Sequence, residues 1–190
     1  MLFRSTTDGR NRLTFKVENG KAVSFRAASG TQTFERTPWL KAADTMNLAL
    51  GLALAAALIG IFGAFTRIGR DVRPTAPQSQ SNLLFLGASV GFLASAGLFL
   101  AWAQSASGAD NSYFYNWPGP LVLAGSWLGL ISALLTAVLV VLLPFTWRGS
   151  RASGGGWTVW RKLRHTAGVL SLAALAGMLL YWGALQPWAA

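Results

Sequence analysis

Cysteine is absent from this 190-residue chain, histidine occurs once, and only six carboxylates are present. The lack of cysteine removes disulfide frameworks, thiolate metal sites, Cys nucleophiles and thioether-linked haem in one step. With His165 alone, a two-His metal set or a bis-imidazole haem cannot form within one copy. The six carboxylates are scattered over loops and strands, so no paired acid/base site or divalent-metal site is expected. No Ser stands three positions before a Lys, and the sequence assigns His165 no partner; beside Arg164 it reads as an interfacial residue, with proton handling as the sharper alternative. No catalytic, metal-binding or cofactor-binding residue is therefore assigned, and no cofactor is implied.

Charge is missing over long stretches. Thr45–Thr66, Pro74–Ala109, Asn111–Trp147 and His165–Ala190 carry no Asp, Glu, Lys or Arg. A soluble helix needs a polar face, and an uncharged window of about 20 residues reads as a membrane span. Four spans are expected, at about 46–65, 83–103, 121–145 and 166–186, making 42–190 a four-helix transmembrane domain. No ionisable group is expected inside them, which argues against an ion or proton path, and no broken-helix pair or repeat suggests a transporter. Trp102, Trp117, Trp147, Trp157, Trp182 and Trp188 fall near the span ends, where an indole anchors at the headgroups, whereas Trp127 lies within the third span and reads as a packing residue.

What charge there is lies mostly in one sign, 16 Lys and Arg against six acids. The link between spans one and two holds Arg67, Arg70 and Arg73, and that between three and four holds Arg148, Arg151, Arg161, Lys162 and Arg164. These links share a side, which the bias of basic residues makes cytoplasmic, so both termini are expected outside a cytoplasmic membrane. The run Trp157–Arg164 is basic and aromatic, and Arg161, Lys162 and Arg164 are candidates for contact with anionic lipid headgroups beyond ordinary topology. The basic residues flank spans and form no continuous face, so nucleic acid is not an expected partner. Gly154-Gly155-Gly156 lacks the Lys-Ser/Thr of a phosphate loop and reads as a flexible link. Gly87-x-x-x-Gly91, continuing to Ser95, and Gly125-x-x-x-Gly129 read as close packing of spans two and three within the chain, with homodimer formation as the alternative. The Asp110–Pro118 loop carries Tyr113, Tyr115 and Trp117, read as interfacial anchors, with a small ligand surface as the sharper alternative.

Residues 1–41 follow another rule. Leu13, Phe15 and Val17 alternate with Thr14, Lys16 and Glu18; Asn19-Gly20 follows as a tight-turn dipeptide, and Val23 and Phe25 resume the alternation. Further turns at Asp8-Gly9 and Ser29-Gly30 complete a short antiparallel β meander of three or four strands. Some 40 residues bury too little surface to stand alone, so the meander reads as an incomplete β module. An external amino terminus with eight basic residues and no signal peptide also points to a missing upstream domain.

Leu2-Phe-Arg4, Leu13-x-Phe15, Gly20-x-x-Val23-x-x-Arg26 and above all Phe34-Glu-Arg-x-Pro-Trp39 are similar to the end of the carboxyl-terminal β module of β-lactamase-like serine hydrolases, of the CubicO or penicillin-binding-protein type. Some members of that family carry membrane helices after this module. The resemblance covers about residues 2–41. It implies an upstream extracytoplasmic domain with a Ser-x-x-Lys nucleophile, a Tyr base and a His/Lys-x-Gly strand, none of which occurs here. The function expected is that of a non-catalytic membrane anchor for such a hydrolase domain; the alternative is a stand-alone four-span scaffold or partner-binding protein.

Overall fold

The computed structural model describes residues 2–4, 12–27, 33–35, 38–66, 74–107, 119–148 and 156–185. They form two compact units, Met1–Ala43 and Asp44–Ala190. The first is a four-stranded antiparallel sheet in sequence order, with β1 at Leu2–Arg4, β2 at Arg12–Glu18, β3 at Lys21–Ala27 and β4 at Thr33–Glu35, closed by a 3-10 turn at Trp39–Lys41. The β2–β3 turn is built as the dipeptide requires. Asn19 and Gly20 both take positive φ, 50° and 74°, which matches the twist of the flanking strands. Phe15 pairs with Phe25 across these strands, their ring centroids 5.8 Å apart, and a register irregularity at Lys16/Val17 follows. None of the described side chains of this sheet is buried, and Val17, Val23 and Phe25 are exposed.

The second unit has four helices, each long and apolar enough to cross a membrane: α1 Ala43–Phe65, α2 Ala76–Ser107, α3 Pro120–Arg148 and α4 Val159–Tyr181. The chain is thus a four-span α-helical membrane fold preceded by an antiparallel sheet. The boundaries differ from expectation most at the starts of α2 and α4, each seven residues early, and α4 thereby takes in Arg161, Lys162, Arg164 and His165. Thr158 explains the start: its hydroxyl accepts a hydrogen bond from the Arg161 amide at 3.3 Å and caps the helix. α4 ends in a Schellman turn. Gly183 takes φ 77°, its amide donates to the Leu180 carbonyl, and the Ala184 amide donates to that of Leu179. The turn brings Leu185 back onto α3, where its side chain is buried against Gly129.

Inside a bilayer the hydrophobic effect gives helices no reason to associate, so packing depends on close backbone approach and hydrogen bonds. The buried positions of α2 (Gln78, Ser81, Phe85, Ala88, Ser89, Phe92, Ser95) recur at three and four residues, and those of α3 follow the same spacing. Small side chains dominate that seam, as expected. A Cβ on Gly91 would collide with Ser132, and one on Gly129 would lie 2.8 Å from Leu185 and 3.2 Å from Ser95. Ser95 Oγ donates to the Gly125 carbonyl at 2.7 Å and ties the two helices directly. Gly87 is exposed and meets only ordinary contact with Leu135, so the close approach begins at Gly91. α1 buries only Ala53 and Ala57; at Gly60 it closes on the Phe85 ring, which also fills the space left by Gly168 of α4.

Candidate functional site

The residues with chemistry gather at one end of the helical unit, where α1 and α3 finish and α2 and α4 begin. The last four carbonyls of α3 have no partner within the helix. Gln78 of α2 and Lys162 of α4 supply two of the missing donors: Gln78 Nε2 donates to the Thr146 carbonyl at 3.0 Å, and Lys162 Nζ donates to that of Trp147 at 2.9 Å. A cation is also the favoured group at a helix carboxyl end. Gln78 Oε1 in turn accepts from the amides of Thr75 (3.3 Å) and Trp157 (3.1 Å), so one fully buried amide joins α2, α3 and the entry to α4. Trp147 Nε1 donates to Thr166 Oγ1 at 3.0 Å, a second α3–α4 link.

Ser81 Oγ and His165 Nε2 share a hydrogen bond at 2.8 Å, with the imidazole set between the rings of Phe85 (5.3 Å) and Trp157 (4.8 Å, edge-on). Two of these placements correct the sequence reading. His165 is buried instead of interfacial, because Ser81, 84 positions away, satisfies it within the protein. Trp157 is 2% exposed and is a core ring, not a headgroup anchor. Trp127 reverses in the other sense. It is 51% exposed on α3, since the seam of Gly125, Ser126 and Gly129 takes the inner face. Trp147 and Trp182 are partly exposed near helix ends as expected, whereas Trp117, Trp188 and the loop of Tyr113 and Tyr115 lie outside the described residues. The Gly154-Gly155-Gly156 link falls outside them except for Gly156.

A serine paired with a histidine invites a nucleophile reading, and the geometry argues against it. Ser81 has no exposed surface, so a substrate carbonyl has no approach to Oγ. Gly87-Ala88-Ser89-Val90-Gly91 also has the spacing of a Gly-x-Ser-x-Gly elbow, although it reads above only as a groove of small residues. An elbow needs a sharp strand-to-helix turn that presents the hydroxyl. Ser89 instead lies in continuous helix and is fully buried, and among the described residues its Oγ has no hydrogen-bond partner. No group of three or more His, Cys, Asp or Glu able to hold a metal occurs among the described residues.

The basic run of α4 divides by face. Lys162 is 7% exposed and committed to α3, which removes it from the expected headgroup contacts. Arg161 and Arg164 border a cavity of about 250 Å³ between α1, α2 and α4. The Arg161 guanidinium lies 4.5 Å above the Trp157 ring, a cation–π contact that holds it at the cavity wall. Trp157, His165, Asn82 and Phe85 form the polar and aromatic side, and Leu52, Ala55 and Ile59 of α1 the apolar side. Among the described residues the buried Trp157 indole N–H has no acceptor. A buried donor left in that state costs about 1–3 kcal/mol.

No family model matches the chain, and neither a curated protein nor a solved structure matches it. Four membrane-crossing helices place it among multi-pass membrane proteins.

Proposed function

We propose that these residues are a membrane-anchoring region. The four helices hold a β module, to which β1–β4 belong, at the outer face of the cytoplasmic membrane, and the whole protein is a β-lactamase-like serine hydrolase with its catalytic groups upstream. The observation that carries the anchor reading is the exposure of the sheet: none of its described side chains is buried, and Val17, Val23 and Phe25 present apolar surface. Such a sheet needs further chain to cover it. The hydrolase part rests on the resemblance of Phe34-Glu35-Arg36-Thr37-Pro38-Trp39, and the external placement on the basic residues of the two links.

The test is the size of the native product, with a tag on the carboxyl terminus at the chromosomal locus and a membrane fraction run on a denaturing gel. A band far above 20.2 kDa that reacts with a fluorophosphonate or β-lactam probe is expected. A band near 20.2 kDa without label would instead leave a stand-alone four-span scaffold. That second reading draws on the helical unit, where the Thr146, Trp147 and Gly125 carbonyls of α3 accept from side chains of α2 and α4.

A further inference from the structure

We propose that the cavity between α1, α2 and α4 is a binding site for one anionic phospholipid, with its phosphate held by Arg161 and Arg164. The first argument is the polarity gradient along the cavity. Ile59 of α1 and Arg164 of α4 also border a second, apolar groove with Leu58, Phe62 and Phe65, which puts these two residues at the same end. From there the cavity runs along α4 to Ser171 and along α1 to Leu52, seven residues on each helix, or about 10 Å. One end therefore carries two guanidinium groups, the indole of Trp157 and His165, and the other is lined by Leu52, Ala55 and Ala56. This is the order of groups in an amphiphile, with a charged head and an apolar tail.

Access and chemistry agree with that occupant. Leu52 and Ile59 are each more than half exposed, so the α1 wall of the cavity is continuous with the helix surface that faces lipid. Guanidinium donors match phosphate oxygens in geometry, and the stacking of Arg161 on Trp157 restrains one of them in advance. Arg164, exposed at the junction of the two depressions, serves head and tail alike, its stem lying along apolar surface while its guanidinium meets the phosphate.

The test uses the full chain purified in detergent, incubated with equal amounts of phosphatidylglycerol and phosphatidylethanolamine and examined by native mass spectrometry. Wild type is expected to retain phosphatidylglycerol with about a tenfold preference. The double variant Arg161→Gln/Arg164→Gln is expected to lose that preference. Ala55→Trp, which fills the cavity from its exposed wall without replacing a basic residue, is expected to lower retention. Arg148→Gln, outside the cavity, is expected to behave as wild type. Thermal unfolding in the same detergent checks that each variant is folded, and a variant that unfolds is replaced by Ala55→Leu or by single Arg→Lys changes, for which weakened retention is again expected. Equal retention of the two lipids by wild type would overturn the proposal. So would an unchanged preference in the double variant, an equal loss in Arg148→Gln, or displacement of the lipid by glycerol phosphate at matching concentration, which would assign the site to a soluble phosphate.

Discussion

The sheet and the helical unit solve the same problem, the satisfaction of backbone groups, from opposite ends. In β1–β4 the ladder itself satisfies the interior strands, and the side chains add a Phe15–Phe25 pair and an exposed Lys16–Glu18 ion pair at 2.8 Å. An exposed ion pair of this kind is worth between nothing and about 1 kcal/mol. In α1–α4 each helix satisfies its own interior backbone, and long-range side chains are spent on what remains, the helix ends and the seams: Gln78, Ser81, Ser95 and Lys162 all bond across helices. The difference teaches where each unit depends on something else. The helices tie the Thr146 and Trp147 carbonyls at the end of α3 to side chains of α2 and α4 and leave apolar surface for lipid, whereas none of the described side chains of the sheet is buried.

The largest blow to this contrast should come from the α2–α3 seam. Gly91→Leu puts a Cβ on the Ser132 hydroxyl whichever rotamer the leucine takes, and overpacking of the seam is expected to cost about 3 kcal/mol in thermal or denaturant unfolding in detergent. Gln78→Leu comes next. It leaves the Thr146 carbonyl and the Trp157 amide without their partner, with an expected loss of about 2 kcal/mol in the same assay. Ser81→Ala breaks the bond to His165 and is expected to cost only about 0.6 kcal/mol, the usual worth of one hydrogen bond between membrane helices. If Ser81→Ala proved as damaging as Gln78→Leu, the Ser81–His165 pair would be more than a link between α2 and α4.

Much of this arrangement was legible in the sequence, for physical reasons that differ by element. Uncharged windows announced α1–α4 because a charge in hydrocarbon is costly and so is seldom placed there. Asn19-Gly20 announced the hairpin because few other residues accept two successive positive φ angles. The same charge rule misplaced the start of α4. It treats Lys162 as a loop residue, although the carbonyl of Trp147 lets that side chain sit inside the helical unit. Pairings between distant residues were not legible at all: nothing near His165 names Ser81, and nothing near Trp157 shows that its ring is enclosed by His165 and Arg161. Aromatic residues at span ends carry two readings, anchor and core, and only packing separates Trp157 from Trp182. The spacing of Gly87, Ser89 and Gly91 carries two as well, and continuous helix with a buried hydroxyl decides for packing.

The contrast between a helical unit joined by buried side-chain bonds and a sheet with exposed side chains, which the proposed upstream domain would cover, is tested most directly by amide hydrogen exchange on the full 190-residue chain in lipid nanodiscs. Protection of β2 and β3 (12–18 and 21–27) is expected to be lost within seconds to minutes, because local opening of an uncovered sheet costs little. Over the same time the buried stretches of α2 and α3 should retain their amides for hours. Protection of the strands equal to that of α2 and α3 would contradict the account, since the sheet would then be complete without further chain.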